Sequence, residues 1–87
     1  MRADAATELL GLPVTLGGIR LGHAIEVVLD EDGERVVGVV VLCGDERERF
    51  LVRDAAEARD DEIAVRSALP LLDDVDFYRR RGRSIRG

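Results

Sequence analysis

Two aliphatic runs, residues 21–30 and 36–43, flank the segment Glu31-Asp32-Gly33-Glu34. This arrangement constrains the chain more than any other feature. In the first run Leu21, His23, Ile25, Val27 and Leu29 alternate with Gly22, Ala24, Glu26, Val28 and Asp30, the period of a strand. The second, Val36 to Cys43, is rich in valine, which suits a pleated surface. Asp-Gly between such runs marks a hairpin turn. With Asp32-Gly33 as a two-residue turn, Glu31 faces Glu34, Asp30 faces Arg35, Leu29 faces Val36 and His23 faces Leu42. A one-residue slip would put Asp30 against Glu34 and Arg35 on the apolar face, so the first register is preferred. It places Ile25, Val27 and Leu29 inside with Val36, Gly38, Val40 and Leu42. Val28, Val37, Val39 and Val41 then share the outer face as a patch that a monomer must cover, either with its own C-terminal helix or with a second subunit.

The remaining elements are short. Asp4 to Leu10 reads as one helical turn capped by Asp4, or as an arm. Leu12 to Leu16 is a first strand, which Pro13 restricts to an edge or a strand start, and Gly17-Gly18 is a turn. Arg47 to Arg53 is a third long strand, and Asp54 to Arg59 a helical turn or loop. Glu62 to Leu69 is a last strand with Ile63 and Val65 inward, ended by Pro70. Asp73 to Arg81 reads as a short helix, with acids at its start and arginines at its end, as the helix dipole favours. The tail beyond Gly82 is expected to be loose.

Composition sets the limits. The 87 residues suit one domain, 1–87, whose barrel covers about 9–69 and whose helix and basic tail cover 70–87. So small a domain buries only roughly two thirds of its unfolded surface, and pairing with a second copy would supplement it. The apolar fraction of 46% is that of a globular chain. The start lacks the apolar segment of a signal peptide, and the longest strictly apolar run, Val39 to Cys43, is far short of the ~20 residues of a membrane span. The lone Cys43 makes no internal disulfide and reads as a small core residue of a cytoplasmic protein. Every base is arginine, and Lys, Asn, Gln and Trp are absent, which reads as the coding bias of a GC-rich genome; a bacterial source is expected. Five arginines (Arg79, Arg80, Arg81, Arg83, Arg86) crowd residues 79–87 with no acid, leaving residues 1–78 with eight arginines against eighteen acids. That acidic body repels nucleic acid, whereas the arginine tail offers a contact for an acidic partner, either RNA or protein.

Short strands around glycine turns point to an all-β fold, a small barrel of about five to six strands with a short C-terminal helix. The series Leu10-Gly11-Leu12-Pro13-Val14, Gly17-Gly18-Ile19-Arg20-Leu21-Gly22, the strand Glu26 to Asp30 and Arg35-Val36-Val37-Gly38-Val39-Val40-Val41 resembles the PRC-barrel pattern. Asp60-Asp61-Glu62-Ile63-Ala64-Val65 is similar to its closing strand. The resemblance covers roughly residues 9–69. It implies a barrel used as a docking surface, as in the cytoplasmic part of the photosynthetic reaction-centre H subunit and the C-terminal domain of a ribosome maturation factor. The 87 residues hold no membrane helix and no second domain before this barrel, so neither a reaction-centre nor a maturation-factor role is expected. His23 and Arg53 depart from the usual residues without breaking the fold.

No catalytic or metal constellation emerges. Counted from Asp30, Gly33 is fourth and Val41 twelfth, which does not fit an EF-hand loop. The register separates His23 from Cys43, against both a zinc site and a nucleophile pair. The carboxylates lie on turns and outer faces, no glycine-rich phosphate loop occurs, and serine is scarce, with only Ser67 and Ser84 and no nucleophile motif around either. The expected function is therefore a non-enzymatic protein-interaction module without cofactor. It is expected to be a homodimer joined through Val28, Val37, Val39 and Val41. The alternative is an RNA- or ribosome-associated factor using Arg79 to Arg86.

Overall fold

The computed structural model describes residues 7–67 and 71–86; the Asp4 cap and the end of the expected last strand lie outside them. Among the described residues the chain forms one curled sheet of eight strands: β1 (Pro13–Leu16), β2 (Ile19–Leu29), β3 (Val36–Cys43), β4 (Glu48–Val52), β5 (Ala56–Ala58), β6 (Ile63–Val65), β7 (Leu71–Leu72) and β8 (Arg83–Arg86), with one α-helix, α1 (Val75–Arg81). A 3-10 turn, Arg53–Ala55, leads into β5. The strands beyond the expected five to six include β5, where a turn or loop was expected, and β8, where a loose tail was expected. The sheet order is β5-β6-β1-β2-β3-β4-β7, and β8 pairs with β2. β1 lies antiparallel to β2 along Pro13↔His23 and parallel to β6 along Val14↔Ile63. One edge of β2 is therefore shared: β1 takes its first half and β8 its second, from Glu26 to Leu29.

The β2–β3 register agrees with expectation at both ends and departs from it between them. Leu29 pairs with Val36 and His23 with Leu42, but the intervening pairs are Glu26↔Val40, Val27↔Val39 and Val28↔Gly38. Ile25 is the extra residue of a bulge on β2 and Val37 that of a bulge on β3. An extra residue reverses the alternation of faces, and a second one on the partner restores the register. The turn also differs: the Asp30 carbonyl accepts from the Gly33 N–H at 2.9 Å, so Glu31-Asp32 are central and Gly33, at φ 71°, follows them. Asp30 Oδ1 secures the loop by accepting from the Glu34 N–H at 2.8 Å.

The bulges overturn the outer valine face. Val39 and Val41 lie inside the barrel with Val14, Val27, Leu51 and Ile63. Val28 and Val37 are on the outer side, where Val28, Val40, Phe50 and Val75 form a second cluster flanked by Ile25, Val37 and Tyr78. Val28, Val39 and Val41 are all buried within the chain, so these four residues form no common exposed patch. Val40, expected inside the barrel, is also part of the outer cluster. Gly38 faces outward beneath Phe50: a Cβ there would lie 2.5 Å from Phe50 Cζ and would collide with the Leu51 carbonyl oxygen. The bare glycine lets the Phe50 ring close over the strand.

Candidate functional site

The C-terminal segment covers the outer cluster, and a carboxylate beneath it organises the site. Glu26 sits on the outer side of β2 next to the Ile25 bulge and is only 1% exposed. Arg79 of α1 donates from Nε to Glu26 Oε2 at 2.9 Å. The same guanidinium reaches Glu48 of β4 from Nη2 at 2.8 Å and Asp76 from Nη1 at 3.4 Å. From β8, Arg86 Nε lies 2.7 Å from Glu26 Oε1, a charge contact whose geometry falls short of an aligned hydrogen bond. Burial works against ionisation of Glu26, but the Arg79 hydrogen bond, the adjacent Ser84 hydroxyl and the charges of Arg79 and Arg86 outweigh it. The carboxyl is held below its ordinary value, and Arg79 is held more firmly protonated by Glu26 and Glu48. An unpaired carboxylate at this depth would be strongly disfavoured, so Glu26 and its two arginines anchor the segment as a set.

α1 starts at Asp74, whose side chain accepts from the Phe77 N–H at 3.3 Å. It buries Val75 and stacks Tyr78 on Phe50, with ring centroids 3.9 Å apart and planes within 3°. Phe77 meets Tyr78 edge-on at 5.1 Å, and the Arg81 guanidinium lies 4.3 Å above the Phe77 ring. Phe50, Tyr78, Phe77 and Arg81 thus form a continuous stack from the buried outer cluster to the surface. Phe77, at its outer end, is 42% exposed. A shallow cavity of about 220 Å³ lies beside it, lined by Val28, Val37, Tyr78 and Gly82.

The five C-terminal arginines do not act alike. Arg79 and Arg86 are engaged by Glu26. Arg80, Arg81 and Arg83 are exposed and, among the described residues, pair with no acid. Sequence reasoning missed Glu26 and the aromatic stack. The signal for Glu26 was a single acid inside an otherwise aliphatic stretch, Ile25-Glu26-Val27-Val28.

The remaining grooves and polar clusters are less organised. A groove of about 460 Å³ runs along β1, β5 and β6 beside Thr15, Glu62 and Arg66; there Arg59 is already paired with Glu57 and Glu62. Cys43 is buried in the barrel, while His23, opposite Leu42, is half-buried. At the β3–β4 turn Arg49 holds Asp45 with two hydrogen bonds, which together with the Arg47 N–H lower the exposed Asp45 carboxyl to about 2. Among the described residues no group of three or more His, Cys, Asp or Glu is placed to hold a metal ion, and no helix is long and apolar enough to cross a membrane.

No curated protein matches the chain. The model of the PRC-barrel domain family matches residues 1–68, which takes in β1 to β6 and leaves β7, α1 and β8 outside. With its curled sheet, its strand series and a family match over most of its length, the chain belongs to the PRC-barrel family.

Proposed function

We propose that this PRC barrel is a non-enzymatic, cytoplasmic protein-interaction module that presents the outer surface of α1 to an acidic protein partner. The observation that carries this reading is the exposed end of the aromatic stack: Phe77 under Arg81, supported from below by Tyr78 on Phe50. Aromatic residues and arginine dominate binding hot spots because they offer large contact area with little ordering cost. Here that cost is already met, since Arg79 and Glu26 fix the helix. Arg81 lies over the ring, and Arg80 and Arg83 add exposed positive charge on the same segment, which selects an acidic surface and speeds encounter. The family supports a docking role, and this surface lies on the segment beyond the family match.

The RNA reading loses ground because two of its five arginines are engaged by Glu26, which reduces the charge free to displace counterions from phosphates. Affinity capture with the intact chain, with and without nuclease, separates the two readings. A protein captured regardless of nuclease, and lost with Phe77→Ala and with Arg81→Glu, is the expected result. Capture that nuclease abolishes would favour RNA. Capture unchanged by both substitutions would remove the α1 surface from consideration.

A further inference from the structure

We propose that residues 75–86 are an exchangeable cover, and that this segment of a second copy can take the same seat, giving a reciprocally swapped dimer. The seat has a floor of Val28, Val40 and Phe50, a buried carboxylate in Glu26, and the open β2 edge between Glu26 and Leu29. The cover matches each part: Val75 and Tyr78 on the floor, Arg79 and Arg86 on Glu26, and β8 on the edge.

An empty seat would be strongly disfavoured. Lifting the cover bares the floor, unpairs a stretch of β2 and removes both arginines from a carboxylate set among apolar side chains. An exchanged seat suffers none of this, because every contact is remade one for one between copies. The occupant whose fit is demonstrated is therefore the segment that already sits there.

The hinge favours exchange. β7 stays on β4 through Phe50↔Leu72 and Leu51↔Leu71, so the chain must pivot at Asp73-Asp74. There the Val75 N–H donates to the Asp73 carbonyl at 3.0 Å, and Asp74 has φ −85° and ψ 68°. This is an inverse γ-turn, a reversal in three residues. Rotating the single Asp74 ψ into the β region straightens it, and hinges this short are the ones that promote swapping. Self-association then needs no exposed valine face and does not depend on the α1 outer surface.

The test uses full-length chains in a Cys43→Ala background. Val28 and Ser84 are direct partners across β2 and β8, and Val28 is sealed from solvent by the cover. Chains carrying Val28→Cys are mixed at high concentration with chains carrying Ser84→Cys and then oxidised. The expected product is a disulfide-linked dimer of one chain of each kind. The double variant, kept dilute, should close within one chain and shows that the pair is competent. If the double variant closes while the mixture stays monomeric, the proposal is overturned. If the double variant does not close, light scattering of the unmodified chain decides. A dimer that disappears when three glycines are inserted between Asp73 and Asp74 supports exchange. The absence of any dimer, or a dimer unaffected by the insertion, overturns it. Phe77→Ala should leave the dimer intact, which separates this proposal from docking on α1.

Discussion

The two faces of the β2–β3 hairpin are both buried, by different means. The inner face is sealed by apolar contacts, chiefly Val27, Val39 and Val41 against Val14, Leu51 and Ile63. The outer face mixes aliphatic floor, aromatic stack and a paired carboxylate, and its cover comes from a segment outside the family match. Aliphatic burial is strong but indifferent to its exact partners, whereas a buried charge tolerates only the right one. The inner face accordingly supplies stability, and the outer face determines which segment is accepted as its cover.

The largest effect should come from the inner face. Leu51→Ala removes a fully buried side chain and should cost about 3–4 kcal/mol, seen as a lower denaturant midpoint for every probe at once. Loss of structure confined to α1 would contradict the division between the faces. Next is Gly38→Ala, which sets a methyl against Phe50 and should cost about 1–3 kcal/mol by overpacking; a neutral result would mean that Phe50 moves freely. Glu26→Gln should cost about 2 kcal/mol, less than a fully buried pair because Arg79 and Arg86 remain partly in water. Its mark is selective: amide exchange should rise at residues 83–86 and stay slow at Val39 and Val41. Equal acceleration at all of them would erase the distinction. Acid acts on the same carboxyl. The contribution of Glu26 is complete above its ordinary value of 4.5 and is lost as the pH falls below that, through its depressed folded value. β8 should therefore exchange faster in acid before the barrel opens. The smallest effect belongs to Tyr78→Leu, which keeps an apolar contact but loses the stack on Phe50, about 1 kcal/mol, read as faster exchange within α1.

The barrel was legible where composition alternates or breaks. Asp-Gly marked the hairpin, Leu29 and Val36 met as expected, and the acids and arginines bracketing residues 73–81 announced α1. The interior register was not legible, because Val36 to Cys43 is apolar on both faces and a strand covered on both sides shows no alternation to count. Nothing in a run of valines signals a bulge. Gly38 and Glu26 were the two usable clues: a missing side chain where an aromatic ring must approach, and a charge where water is excluded. Reading them needs knowledge of what comes down on top, and that cover lies about fifty residues later in the chain.

The parallel pairing of β1 with β6 has a consequence for synthesis. Val14 leaves the ribosome long before Ile63, its neighbour in the finished sheet. β1 can turn back on β2 at once, yet its other edge stays unsatisfied until Ile63 and the rest of β6 have followed it out. The seam between the first strand and the sixth is therefore the last part of the family barrel to zip. During that interval the nascent chain exposes a raw aliphatic border to which chaperones, or a neighbouring nascent copy, have access.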